Sequence, residues 1–302
     1  MSSSTAAPRR SRDATATGLA FVAPFLLVYA LFLVVPLGMG LINGFTDASL
    51  VGGDREFVGA ANFAEALTDP ALWRSLGVTV VFTLASTPPL IAVGLLMALL
   101  THHLAPARWL WRLVFFAPYV LPSSAIALIF VWIYQPGFGL ADALLGMVGA
   151  EPVGWLSRPV AAMLGVVLAT VWWTAGFNFL LYLAALQAIP GDLYEASSLD
   201  GASRVQQFFG ITLPMLRPTT GLIAVLQLLA SLKVFDQFYL ITGGGPQHST
   251  RPILQYVYEH GFTNYRIGYA SAVSYVFFAL VLLLTAAHLS IRRRREGRLG
   301  HA

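Results

Sequence analysis

Long apolar runs alternate with short polar segments along the whole of this 302-residue chain. Six runs are long enough to cross a bilayer as helices: residues 18–42, 78–100, 112–134, 160–186, 219–242 and 268–291. A helix rises about 1.5 Å per residue, so a hydrocarbon core of about 30 Å needs roughly 20 apolar residues. These runs are apolar on every face rather than along one stripe, unlike the amphipathic helices of a soluble core. The pattern predicts an all-α polytopic membrane protein with six transmembrane helices, no tandem repeat and no separate soluble domain. Residues 1–17, rich in Ser, Thr, Ala and Arg, read as a disordered N-terminus, and residues 292–302 as a basic tail. Residues 18–42 follow Arg9, Arg10 and Arg12, as a signal peptide would. The run is too long for such a segment and lacks a small-residue cleavage site, so it reads as an uncleaved first span.

Between the fourth and fifth runs lies a polar insert, residues 188–217, with helix start and stop signals of its own. Pro190 ends the preceding helix, because it has no N–H and clashes with the turn before it. Asp192 is placed to cap a new helix, with Glu195 three residues on to close a capping box. Gly201 permits the turn out, and Pro214 is expected to stop a second short helix. The insert therefore reads as helix, turn, helix along a membrane surface, a shape suited to a partner's cleft.

Composition supports the membrane reading: 57% of residues are hydrophobic and 11% charged, with a mean hydropathy of +0.71. Charge sets the orientation. One set of segments holds Arg9, Arg10, Arg12, Arg108, Arg112, Arg204, Arg217, Arg292, Arg293, Arg294, Arg295 and Arg298. The opposite set holds Arg55, Arg74, Arg158, Arg251 and Arg266, together with eight acidic residues. Both termini and the insert are thus assigned to the cytoplasm. The run Arg292–Arg295 reads as a topology anchor on anionic headgroups, and nucleic acid is not an expected partner. In the external loop 43–77, Pro70-Ala71-Leu72-Trp73 resembles a short interfacial helix.

The chain has no cysteine and one lysine. A phosphate-binding loop ends in Gly-Lys-Ser or Gly-Lys-Thr, whereas Lys233 sits in Leu232-Lys233-Val234. If ATP drives a process here, another subunit hydrolyses it. Metalloprotease and serine-hydrolase signatures are absent, and the adjacent His102 and His103 point to different helix faces, so neither catalysis nor a metal or cofactor is expected. Prolines at positions 24, 36, 88, 89, 118 and 122 interrupt the spans, as in a moving or cavity-lining bundle.

Lys233 and Asp236 are the charged side chains in the interior of a predicted span, three residues apart and so on one helix face. Lys233 is nine residues before Thr242, roughly 14 Å from that end and close to the midplane. Either charge alone costs about 2.5–3.5 kcal/mol there, so each should pair or face a polar cavity. Asn178, Gln187, Gln227, Ser231 and Gln237 are further polar groups at depth, with Trp172 and Trp173 before Asn178. Aromatic faces and amides suit sugars, which present C–H faces and hydroxyls. Interhelical hydrogen bonding is the competing role for each amide.

At these residues a family resemblance emerges. The insert is similar to the cytoplasmic loop of permease subunits in binding-protein-dependent ABC importers: Glu-Ala-Ala, three residues, Gly, nine residues, Ile-x-Leu-Pro. Glu195, Ala196, Gly201, Ile211, Leu213 and Pro214 match at the right spacing, and Ser197 replaces the second alanine. Phe57-Val58-Gly59 through Asn62-Phe63, Phe116-Ala117-Pro118, Leu186-Gln187-Ala188-Ile189-Pro190 and Asp200-Gly201-Ala202 resemble the maltose, multiple-sugar and glycerol-phosphate branch. So do Val234-Phe235-Asp236-Gln237 and Thr242-Gly243-Gly244-Gly245-Pro246.

The resemblance implies a type I ABC importer permease in a bacterial inner membrane. It would pair with a second homologous permease, an ABC ATPase dimer that binds the ATP, and an extracytoplasmic sugar-binding protein. ATPase coupling would fall to the helix Glu195–Ala202, including Asp200, with Phe208 and Phe209 as an apolar face leading to Ile211, Leu213 and Pro214. Substrate-pathway candidates are Asn178, Gln227, Ser231, Lys233, Phe235, Asp236 and Gln237. The cargo would be a sugar, as a di- or oligosaccharide. The alternative is an ion-coupled secondary transporter with Lys233 and Asp236 as coupling groups.

Overall fold

Inside lipid every backbone polar group must be satisfied within the protein, which leaves helices and closed barrels as spanning structures. The described residues of this chain take the helical solution, with one isolated bridge between Thr46 and Phe57. The computed structural model describes the backbone of residues 12–53, 55–103 and 108–299, and side chains over 21–53, 55–102, 108–283 and 285.

In chain order the first helices are α1 (Arg12–Tyr29), α2 (Val35–Gly44), α3 (Ala61–Thr68) and α4 (Pro70–His103). There follow α5 (Arg108–Val120), α6 (Ser123–Ile133), α7 (Leu140–Met147) and α8 (Pro159–Gln187). The insert contains α9 (Gly191–Leu199) and α10 (Arg204–Gln207), and α11 (Leu213–Leu232) leads out of it. The chain ends with α12 (Asp236–Ile241), α13 (Ile253–Tyr258) and α14 (Ile267–Leu299). Single π-turns at Ala30–Val34, Phe208–Thr212 and Glu259–Thr263 join neighbouring helices.

Among the described residues, four helical stretches are long and apolar enough to cross a membrane: Phe21–Gly44, Pro70–His102, Pro159–Gln187 and Arg204–Leu232. The pair α5 and α6 supplies a fifth if taken as one bent span, and α14 contributes a shorter apolar stretch, Ile267–Leu283. Helix α1 starts at Arg12, ahead of the boundary expected at residue 18. The N-terminal expectation for residues 1–11, and the side chains of Arg292–Arg295, lie outside the described residues.

Several boundaries differ from the sequence expectation for identifiable reasons. Residues 70–73 are not an interfacial helix but the first turn of α4, which continues through Pro88 and Pro89 for 34 residues. The third run is two helices that meet at 94°. There Pro122 takes φ −64° and ψ 145°, an extended geometry that ends one helix and starts the next. Trp173 Nε1 donates to the Leu121 carbonyl at 3.2 Å, supplying a partner at the break.

Two compact units divide the described residues, one from Met1–Thr68 with Glu259–Ala302 and one from Asp69–Tyr258. In the first, α2 and α3 pack on α14. Asn62 Nδ2 donates to the carbonyls of Gly44 (3.1 Å) and Thr46 (2.8 Å), and Arg266 forms a bidentate pair with Glu65 at 2.8 and 2.7 Å.

In the second unit α8 is the central post, packed by α4, α5, α6, α11 and α12. Its ends lie in two apolar clusters, one around Phe82, Phe130, Val166 and Phe238, the other around Phe179, Tyr182, Leu216 and Ile223. Close approach relies on glycine. A Cβ at Gly176 would lie 2.3 Å from the Phe115 carbonyl oxygen on α5, and one at Gly94 would lie 2.7 Å from Asn178 Cβ. Small residues let helix backbones approach and gain dispersion energy, which drives helix association where lipid offers no hydrophobic force.

Gly176→Ala is therefore expected to lower the thermal unfolding midpoint in detergent, through an overpacking cost of about 1–3 kcal/mol. Gly77, with open space where a Cβ would go, serves as the control. Gly77→Ala should leave the midpoint unchanged or raised, and equal behaviour of the two variants would refute the close-packing account.

Candidate functional site

Between the two apolar clusters, α8 presents Thr170, Trp173, Thr174 and Phe177, a helical i, i+3, i+4, i+7 face. That face borders a cavity of about 600 Å³. Of the sequence candidates, Gln227, Ser231, Lys233, Phe235, Asp236 and Gln237 line it. Tyr119 also lines it and stacks on Phe177, with ring centroids 5.4 Å apart.

The polar lining is possible because the fifth run does not continue as one helix. Helix α11 ends at Leu232, Lys233 takes φ −102° and ψ 17° as its C-cap, and α12 begins at Asp236. Lys233 and Asp236 therefore do not share a helix face, contrary to the continuous-helix expectation. No ion pair joins them among the described residues. Each charge sits at a helix end of the favourable sign instead, the ammonium at the C-terminus of α11 and the carboxylate in the first turn of α12. Asp236 Oδ2 accepts from Ser123 Oγ at 2.9 Å. Exposure of Lys233 and Asp236 to the cavity spares both the cost of dry burial.

Asn178 is placed differently. It is fully buried and does not line the cavity. Its Nδ2 donates to the Leu90 carbonyl of α4 at 3.1 Å, and its Oδ1 accepts from Gln227 Nε2 of α11 at 2.8 Å. The amide is consumed in interhelical hydrogen bonding, the competing role open from sequence. Ser231 Oγ pairs with Ser86 Oγ at 3.3 Å, so α11 is tied to α4 a second time. Trp172, named with Trp173, lies edge-on to Phe130 and away from the cavity lining.

Sequence reasoning missed Tyr119, Thr170, Thr174 and Phe177. The three α8 residues carry a legible signal, since they share Trp173's face on an otherwise apolar helix. Tyr119 carries none, because only the fold of α5 against α8 brings it there.

The insert also departs in detail from expectation. Helix α9 is preceded by Pro190 in extended geometry and has no side-chain cap, so Asp192 and Glu195 form no capping box. The box lies one helix later, where Ser203 and Gln206 bond reciprocally at the start of α10. Gly201 has φ +80°, which makes the turn between the helices. Pro214 does not stop a helix; it directly follows the π-turn Phe208–Thr212 and lies inside the continuous helical run Arg204–Leu232.

Tyr194 fastens the pieces together. Its carbonyl accepts from Ser197 Oγ, Ser198 Oγ and Gln207 Nε2, and its hydroxyl pairs with Thr212 Oγ1 at 2.9 Å. Glu195, Ala196, Asp200, Gly201 and Phe209 are exposed, while Ala202, Phe208, Ile211, Leu213 and Pro214 are partly buried. Leu199, Val205 and Phe209 are 90%, 66% and 62% exposed, so the segment offers apolar side chains beside three carboxylates, Asp192, Glu195 and Asp200.

Residues 90–296 match the family described as the inner membrane component of binding-protein-dependent transport systems. The chain belongs to this family. It is a multi-pass inner-membrane transport component. Its relatives include the sulfoquinovosyl glycerol transport system permease protein SmoG of Agrobacterium fabrum, 34% identical over 91% of this chain and 90% of that protein. The trehalose/maltose transport system permease protein MalF of Thermococcus litoralis is 35% identical over 92% of this chain and 94% of its own length. A crystal structure of a bacterial ABC transporter that imports the acidic polysaccharide alginate superposes with a TM-score of 0.79. It is 25% identical and covers 93% of this chain and 96% of that one.

Gln227→Leu is expected to strand the Asn178 carbonyl oxygen and cost about 1 kcal/mol of stability. The double variant Asn178→Leu/Gln227→Leu should recover part of that loss in thermal unfolding. A double variant less stable than the sum of both singles would count against the paired-amide account.

Proposed function

We propose that this chain is one of two pore-forming permease subunits of an ATP-driven importer for a sugar, acting on a di- or oligosaccharide. In this reading it has six spans, with both termini and the α9–α10 segment on the cytoplasmic side. An extracytoplasmic binding protein delivers the solute, and a separate ATPase dimer supplies the energy. The chain's only lysine lies in the cavity, outside any Gly-Lys-Ser/Thr sequence, so no phosphate-binding loop of that type competes with this division of labour.

One observation carries the reading. A single helical run from Arg204 to Leu232 connects the exposed segment to the cavity. At 29 residues it spans roughly 44 Å. Its first turns are held to α9 through Tyr194, and its last turn ends at the Lys233 break. Displacement of the segment by an ATPase thus reaches the cavity through one element, as coupled alternating access requires. Sugar suits the lining: Tyr119, Trp173, Phe177 and Phe235 offer ring faces for C–H surfaces, and Gln227, Gln237 and Thr174 offer donors and acceptors for hydroxyls. The volume lies within the about 300–1,000 Å³ range of small-molecule sites. The relatives' names, among them trehalose/maltose and sulfoquinovosyl glycerol permeases, point to the same cargo class. A further alginate importer structure, with a TM-score of 0.79, was solved in complex with alginate pentasaccharide-bound periplasmic protein, supporting delivery by such a partner.

Proteoliposomes test the proposal. Sugar uptake should require the ATPase, ATP and the binding protein together. Uptake by this chain alone, abolished by an uncoupler, would establish the ion-coupled alternative instead. Within the full complex, Gly201→Val should force a β-branched residue into a left-handed conformation that costs about 1–3 kcal/mol. Uptake should fall about tenfold while ATP hydrolysis persists; normal uptake would remove the segment from coupling. Lys233→Met should change transport rate or solute preference with assembly intact, whereas failed assembly would make Lys233 a packing residue.

A further inference from the structure

A second cavity, of about 280 Å³, opens where α4 ends, α5 begins and α8 ends. Thr101 and His102 come from α4, Arg108 and Arg112 from α5, and Leu183 and Gln187 from α8. Among the described residues no carboxylate lines it. Three features of this place favour an anion. Arg108 and Arg112 are four residues apart on one helix face, where like charges repel. Both lie in the first two turns of α5, the positive end of its dipole, where an anion and not a cation is stabilised. Thr101 lines the cavity and is 0% exposed, and its Oγ1 has no hydrogen-bond partner. Arg108 has one long hydrogen bond, 3.4 Å to the His102 carbonyl, and Arg112 has no polar partner among the described residues.

A tetrahedral oxyanion resolves all three at once. It accepts from two guanidinium groups in the geometry that arginine favours for phosphate, and it gives Thr101 an acceptor. Trp109 and Trp111 on the same helix are exposed, as tryptophans are at headgroup depth. We propose that this cavity is a phosphate-group site that seats the headgroup of an anionic membrane phospholipid. Gln187 is the last residue of α8 and precedes α9 by three residues, so the headgroup braces the root of the exposed segment. The site is separate from the 600 Å³ cavity and independent of which solute is carried.

The test uses the full chain purified in mild detergent with its accompanying subunits. Native mass spectrometry counts bound phosphatidylglycerol against phosphatidylcholine, and thermal unfolding with inorganic phosphate forms a second arm. Wild-type protein should retain phosphatidylglycerol selectively. Arg108→Gln/Arg112→Gln should weaken that binding by about 30-fold, from about 1 kcal/mol per arginine at the membrane surface. Thr101→Val should weaken it about fivefold at unchanged charge, and Arg108→Lys/Arg112→Lys should retain it and report on folding. Protection by inorganic phosphate that needs both arginines, without lipid selectivity, would overturn the lipid source and keep the phosphate site. Equal phosphatidylglycerol retention by wild type and the Gln double variant, with no arginine-dependent phosphate protection, overturns the site altogether.

Discussion

One buried amide holds the second unit together. Asn178 of α8 donates to α4 and accepts from α11, so three long helices meet at a single side chain. The bond geometry depends on Gly94, because a Cβ there would overlap Asn178 itself. In a hydrocarbon setting an unpaired amide is costly, which makes this junction selective for one rotation of each helix about its axis. Gln227 then carries the constraint to the cavity wall, since its side chain both bonds Asn178 and lines the 600 Å³ space. Scaffold and site share a residue.

With those helices fixed, the remaining architecture follows from where helices stop. The α5–α6 corner exposes a carbonyl that Trp173 satisfies, and the corner brings Ser123 to Asp236. The Lys233 break turns two charges into helix-end charges facing water-accessible space, where opposite dipole ends offset part of their desolvation. The same run that ends at this break begins at Ser203's capping box, so one element has a polar anchor at each end. Two cavities with different chemistry lie along α8. One is aromatic and amide-lined between the apolar clusters, and the other is basic at the helix's C-terminal end.

Much of this was legible in particular residues. Polar side chains at positions 227, 231, 233, 236 and 237 stood out because lipid-compatible runs seldom carry them, and all five line the cavity. Gly201 was readable as a turn, since a left-handed φ favours glycine. Asn178 looked the same as its neighbours in sequence yet spends both ends of its amide on other helices. Asp192 was the cap expected from sequence, yet the capping box forms one helix later, between Ser203 and Gln206.

By itself the sequence determined that this chain is a multi-pass membrane protein and that a structured polar segment interrupts its apolar runs. Those properties are one-dimensional: transfer free energy sums along a segment, and glycine and proline act on their own backbone. Tertiary structure decided which polar residues face a common cavity, which are spent on packing, and where the fifth run breaks. Such choices depend on helix rotation and close approach, set by pairs such as Gly94 with Asn178 and Gly176 with Phe115 that lie far apart in the chain. Hydropathy carries no record of them.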